Sequence, residues 1–331
     1  MSTVNPPQMQ LIEVSAPGGP DKLTSARRPL PVPRSGELLV KVAYAGVNGP
    51  DIMQRKGLYP PPQGATDILG LEIAGEIVAA GAGVRRWKIG DAVCALTNGG
   101  GYAEYCAVHE DHCLPIPAGL GLMEAASLPE AYFTVWSNLF MTARLSAGET
   151  LLVHGGAGGL GTAAIQLGKA FGAKVAATDS PAERIAVCAR LGADRVIDYA
   201  SGDFVDIVRQ EFGGADVILD IVGGPYIQRN MKAARHDGRI VQLAFALGAK
   251  VELDVMPVML KRLHYTGSTL RSRPDAFKSE VARQLEAQVW PLFERGALKP
   301  VVNQVLPLAQ AAEAHRLMER AGHIGKIVLQ A

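Results

Sequence analysis

The residues whose types and spacing point most directly to chemistry lie between Thr150 and Gly168. The string LLVHGGAGGLG holds Gly156-x-Gly158-x-x-Gly161. The first glycine permits a tight turn out of a strand, the second lets the backbone approach a pyrophosphate, and the third lets a helix pack close to a sheet. The helix opening at Gly159, Leu160 and Gly161 presents free N–H groups and its positive dipole end to the phosphates. The pattern alone is weak. Here it follows an apolar strand, opens an Ala-rich helix, and has Asp179 23 positions after Gly156, at the end of the next strand. A dinucleotide cradle is expected; the competing reading is a glycine-rich structural turn.

Asp179 bears on which dinucleotide. A carboxylate there accepts hydrogen bonds from the adenosine ribose hydroxyls and repels a 2′-phosphate, which favours NAD(H). Against it, Arg184 and Tyr199, with Ser180 beside them, could hold a 2′-phosphate by charge-assisted and neutral hydrogen bonds. Otherwise Arg184 is a solvated helix charge.

These residues need elements to position them. The chain has 331 residues, 48% of them hydrophobic and 20% charged. At roughly 150 residues per domain that predicts about two domains with full cores, and excludes disorder. A net charge of +1 leaves no electrostatic footprint for nucleic acid or an anionic membrane. Cys94, Cys106, Cys113 and Cys188 form no CxxC pair, and so few thiols fit a reducing cytoplasm. MSTVNPPQMQLIEV lacks a basic segment followed by an apolar one, so no signal peptide is expected. The uncharged run Thr150–Gly168 holds six glycines and reads as a strand entering a helix, not a membrane span.

Residues 9–128 read as β-rich, with short strands at Leu38–Asn48, Glu72–Gly81 and Asp91–Leu96. From Thr150 strands and helices alternate: Thr150–Gly155, a helix to Phe171, Lys174–Asp179, Pro181–Leu191, Arg195–Asp198, Phe204–Phe212, Asp216–Gly223, Arg239–Ala244 and His264–Thr269. That order predicts a parallel sheet covered on both faces, an α/β domain. The tail predicts one amphipathic helix over about Ala276–Glu294, an extended piece at Val301–Val305, a helix at Leu308–Arg320 and a last strand, Gly325–Gln330. That strand has no obvious partner in the α/β unit and could return to the β-rich one.

Several strings, in order along nearly the whole chain, resemble the zinc-free quinone oxidoreductase (zeta-crystallin-like) branch of the medium-chain dehydrogenase/reductases. They are Ala45–Gly81, GGGYAEY, LPEAYFTVW, HGGAGGLGTAAIQL, GSTLRSR and IGKIVL. The nearest likeness is to the tumour-suppressor-inducible quinone oxidoreductase subgroup. The resemblance implies a GroES-like β domain at 1–127 and 274–331 and a doubly wound Rossmann domain at 128–273, with the cofactor between them and a two-fold homodimer. The His264–Thr269 strand is a candidate pairing edge. Where zinc relatives carry Cys and His, this chain has Asn48 and Leu71, and a site without thiolate or imidazole cannot hold zinc well. His109-Glu-Asp-His-Cys113 is the one rival cluster, and its spacing does not stack two His on a helix turn.

By position, Asn48 and Tyr59 resemble the family's active-site pair. Asn48 could orient the substrate carbonyl, or be a turn residue before Gly49-Pro50. Tyr59 could donate a proton, cover the nicotinamide, or only pack its Pro-rich loop. Asp51 and Glu72 stand where zinc relatives carry outer carboxylates and read as structural. Thr134 resembles a nicotinamide contact. Gln242–Phe245, with Leu243 and Phe245, and Ser268–Arg271, with Thr269 and Leu270, resemble the platform beneath the ring; Arg271 and Arg273 read equally well as surface ion pairs.

These residues imply hydride transfer from a reduced nicotinamide to a quinone without metal, NADP(H) favoured and NAD(H) possible. A reductase of enones or enoyl thioesters is the enzymatic alternative. A cofactor-binding structural or RNA-binding protein is the non-enzymatic one, and the neutral charge opposes it.

Overall fold

The computed structural model describes residues 7–320 and 322–331. The first six residues of the stretch searched for a leader, and position 321, lie outside them. The chain divides into two units, 1–133 with 271–331, and 134–270.

In the first unit, strand Glu37–Val47 is the organising element. One edge pairs antiparallel with Glu72–Ala80. The other pairs first with Tyr105–His109 and then, over Tyr44–Val47, with the last strand, Lys326–Gln330. Val302–Pro307 lies outside that last strand, and Ala92–Leu96 and Cys113–Pro115 extend the sheet beyond Glu72–Ala80. Leu38, Val40 and Val42 alternate inward and meet Ile73, Ile77 and Val93 in one core. The helix expected over 276–294 is two helices, Asp275–Gln288 and Trp290–Glu294. Pro291 has no N–H to continue the first helix, and it sits instead in the first turn of the second, where none is needed.

The second unit holds six parallel strands in the order Arg195–Asp198, Lys174–Asp179, Thr150–His154, Ala215–Asp220, Ala234–Gln242, His264–Gly267. This is the doubly wound arrangement, and the order reverses at Thr150–His154, the position where such sheets bind nucleotides. The central strands are near-continuous apolar runs because both faces are covered. His154 is tolerated there because its ring is bonded at both nitrogens, to Thr178 Oγ1 at 2.9 Å and to Asn230 Oδ1 at 2.8 Å. Asn230 in turn donates to Asp220 Oδ2 at 2.9 Å. Among the described residues no helix is long and apolar enough to cross a membrane.

Candidate active site

In the second unit the strand Thr150–His154 runs through Gly155–Gly158 into the helix Gly159–Ala170. A Cβ on Gly161 would stand 2.2 Å from Gly155 O and 2.6 Å from Gly156 O, so the helix seats against the loop only because that side chain is missing. A Cβ on Gly158 would meet nothing closer than Gly155 O at 3.4 Å, which leaves its outer side open. The first turn of the helix, at Gly159 and Leu160, has no side-chain cap. An uncapped, glycine-lined helix start fits an anionic phosphate ligand.

Asp179 is engaged differently from the sequence expectation. Its buried carboxylate accepts from Ala157 N at 2.7 Å, Ser180 N at 2.8 Å, Arg184 Nε at 2.6 Å and Arg184 Nη2 at 3.1 Å. Four donors fill the four lone-pair sites of a carboxylate, so none is left for a ribose hydroxyl. Arg184 is neither a solvated charge nor an open phosphate grip; it is buried against Asp179. The pair stitches the second strand to the glycine loop. Spacing alone could not reveal this, because it locates a carboxylate without saying which of its lone pairs are already taken. Tyr199 is 51% exposed. Asp198, unremarked in the sequence, stands in register beside Asp179, and hydrogen bonds, first from the Ala200 N–H, hold its carboxyl below its usual range.

In the expected platform, Leu243 N donates to Asp220 O at 2.8 Å, while Phe245 is exposed. Thr134 is buried and its carbonyl accepts from Asn138 Nδ2 at 2.8 Å. Asn138 Oδ1 accepts from Ser268 Oγ at 2.8 Å. Thr269 is exposed and Leu270 half-buried.

The first unit gathers the other candidates. Asn48 caps the helix Gly49–Arg55, and its N–H donates to Asp51 Oδ2 at 2.9 Å. Its side chain is spanned at both ends: Nδ2 donates to Glu72 Oε1 at 2.9 Å, and Oδ1 accepts from Lys326 Nζ. Lys326 Nζ also lies 2.6 Å from Glu72 Oε1 and 4.0 Å from Glu130 Oε2. Glu72 is fully buried, and its other oxygen accepts from Glu130 N at 2.9 Å. The carboxylate fits because residue 46 is glycine; a Cβ there would stand 2.0 Å from Glu72 Oε1. Asp51 is buried, accepts from Gly70 N at 2.9 Å, and burial pushes its carboxyl up to about 6.

Tyr59 is half-buried, and the Arg271 guanidinium lies 5.8 Å from its ring centre. Burial raises its hydroxyl above the usual range, Arg271 opposing and Glu130 adding to the shift. Arg271 belongs to this unit, not to the 134–270 platform. It is buried, donating to Asn98 O at 3.0 and 2.6 Å and to Gln54 Oε1 at 2.7 Å, so it is no surface ion pair. Arg273 is exposed and stacks over the Phe277 ring at 3.9 Å.

Lys326 and Glu130 were not singled out in the sequence, although IGKIVL and LPEAYFTVW both drew attention. Lys326 reaches Asn48 across 278 positions, and only the pairing of the last strand with Tyr44–Val47 brings them together. Among the described residues, no group of three His, Cys, Asp or Glu side chains is placed to hold a metal ion. In the segment His109–Cys113, burial lowers the His112 ring to about 4, and His109 Nδ1 accepts from Asp111 N. A cavity of about 560 Å³ opens elsewhere in the first unit beside Met9, Thr66, Asn98 and His112, and takes in none of Asn48, Tyr59, Glu130 or Lys326.

A β unit built on one long shared strand and a doubly wound nucleotide unit together define a medium-chain dehydrogenase/reductase. Residues 34–118 match the alcohol dehydrogenase GroES-like domain family, and residues 159–287 the zinc-binding dehydrogenase family. The quinone oxidoreductase of Mus musculus is 32% identical over 330 residues, 97% of each chain. A mycobacterial protein solved with NADPH is 29% identical with a TM-score of 0.88, covering 98% of this chain and all of that one. The JamJ enoyl reductase is 28% identical with a TM-score of 0.85, covering 98% and 99%. The chain belongs to the quinone oxidoreductase branch of the medium-chain dehydrogenase/reductase superfamily.

Proposed function

We propose that the protein is an NADPH-dependent, zinc-independent reductase that delivers a hydride to a quinone-type acceptor. The observation that carries this reading is the end-to-end similarity to quinone oxidoreductases. The cluster around Lys326 agrees with it. Glu72, which resembles an outer carboxylate of zinc relatives, faces the Lys326 ammonium here, and Asp51 lies within its electrostatic reach, so the cation at Glu72 is a side chain. The four cysteines are buried, and burial raises their thiols, which opposes the thiolate form that zinc needs. Four unpaired thiols also fit a cytoplasmic setting.

Gly156, Gly158, Gly159, Leu160 and Gly161 are the residues that would hold the dinucleotide phosphates. When bound, the reduced nicotinamide supplies the hydride. Asp179 does not oppose a 2′-phosphate as an open carboxylate would, because Arg184 neutralises it in place. Tyr59 keeps its proton at neutral pH and serves as a hydrogen-bond donor, with Arg271 adding positive charge beside it. Asn48 acts through Lys326 and Glu72.

A steady-state panel of quinones, enones and acyl-CoA enones with NADPH and NADH tests the reading. Quinones with NADPH should be turned over best, and chelator dialysis should leave the rate unchanged. Enoyl thioesters favoured by 10² or more would establish the enoyl reductase reading instead. Tyr59→Phe should lower kcat by about 10- to 10²-fold, the worth of one hydrogen bond to a developing anion, with dinucleotide Kd unchanged. Unchanged kcat removes Tyr59 from the site.

We also infer a homodimer. Among the described residues the strand His264–Gly267 pairs on one edge only; Tyr265 on it, and Val255, Met256, Met259 and Leu260 in the segment that leads into it, are exposed. An unpaired edge with apolar neighbours is normally covered. Light scattering should give the mass of two chains; the mass of one chain at micromolar concentration refutes it.

A further inference from the structure

We propose that Glu130 is the acid that protonates the reduced substrate, its carboxyl positioned by Lys326 and Glu72. This rests on the reductase reading above.

Glu130 is half-buried and stands apart from the buried carboxyls of Asp51 and Glu72. Each oxygen of Asp51 and Glu72 has a donor: Gly70 N and Asn48 N for Asp51, and Asn48, Lys326 and Glu130 N for Glu72. Among the described residues, none donates a hydrogen bond to the Glu130 carboxyl. Its one ionic neighbour, Lys326, is 4.0 Å away and already holds Glu72 and Asn48. Its backbone is nonetheless pinned, because its N–H donates to Glu72 Oε2. A carboxyl without a donor, half-buried beside two carboxylates that have donors, favours its protonated form. The groups facing it are Lys326, Glu72 and Asp51, one cation against two carboxylates, with Tyr59 within electrostatic reach. The local excess of negative charge therefore places a proton on the least bonded member. Burial first, then Glu72 and Asp51, push the Glu130 carboxyl up to about 7, with Lys326 opposing. Its side chain is 13% exposed, which provides a route for reprotonation from water. Tyr59, pushed above its ordinary range, is the poorer acid at neutral pH.

The step balances. The quinone gains two electrons with the hydride from the reduced nicotinamide, which is oxidised, and becomes a hydroquinone anion. The O–H bond of Glu130 breaks, a new O–H bond forms on the substrate oxygen, and the Glu130 carboxylate regains a proton from solvent.

The test compares wild type, Glu130→Gln and Glu130→Asp from about pH 5 to about pH 9. Wild-type kcat/KM for 1,4-benzoquinone should be level in acid and fall above about pH 7, since the acid must be protonated. Glu130→Gln should lose about 10²- to 10⁴-fold and lose that bend, with dinucleotide Kd unchanged. Glu130→Asp should recover part of the rate and show a bend again. Infrared titration without nucleotide should find a protonated carboxyl band that fades near pH 7 in wild type and is missing from Glu130→Gln. A bend retained in Glu130→Gln, a rate within about threefold of wild type, or no such band in wild type overturns the proposal. A wild type that reduces no quinone with either dinucleotide overturns the reductase reading and this proposal with it.

Discussion

Arg184→Ala should destabilise the protein by about 3–5 kcal/mol, because it strips the partner from a buried carboxylate. The Arg184 and Asp179 side chains are 10% and 3% exposed, and the contact is two-pronged. Removing the guanidinium leaves the buried Asp179 carboxyl beside the glycine loop with only the Ala157 and Ser180 N–H groups as donors. Dinucleotide affinity should fall for NADPH and NADH alike, since the loop loses its tie to the second strand. Denaturant unfolding and fluorescence titration check both. The double variant Asp179→Ala with Arg184→Ala should be less destabilised than the sum of the singles, by more than about 1 kcal/mol. Arg184 would be a phosphate grip after all if its loss weakened NADPH binding alone and left stability untouched.

Lys326→Met should have a comparable effect with a clear pH signature. The Glu72 carboxylate, with no exposure, would keep only neutral donors, and the loss should reach about 3–5 kcal/mol in mild alkali. Without the ammonium, the penalty is that of an unpaired negative charge in a buried place, and it appears only where the carboxylate is ionised. In acid, where carboxyls are neutral in folded and unfolded chains alike, the penalty is small. As pH rises the folded variant must carry a buried negative charge without its cation, so the gap from wild type widens. Thermal melts at acid and alkaline pH decide it. A gap independent of pH would mean that Lys326 acts by packing and not by charge.

Much of the fold was legible because its signals are local. Strand and helix alternation after Thr150 and the glycines of the loop each act over a few residues; the break at Pro291 is just as local, but the apolar periodicity running through it masked it. The lone strand Gly325–Gln330 could be assigned by elimination, since the α/β run left it no partner. The site was less legible. Asp179 was found by spacing, but its engagement by Arg184 and Ala157 depends on side-chain direction, which spacing does not carry. Lys326, Asn48 and Glu130 come from three distant segments, and their charge balance exists only once the sheet has closed. Arg271 read as part of the nucleotide platform because it follows a Rossmann strand; its bonds to Asn98 and Gln54 place it in the other unit.

The seating of the last strand against Tyr44–Val47 also sets an order of events during synthesis. The unit 134–270 is continuous and can collapse as soon as it has left the ribosome, while the β unit still lacks one edge of its longest strand. Until residues 326–330 arrive, Glu72 has no ammonium to face, and the exposed backbone of Tyr44–Val47 is open to pairing with another nascent chain. Assembly of the acid cluster thus waits for residues 326–330, and a chain broken before them would carry a finished 134–270 unit and an unfinished, aggregation-prone β unit.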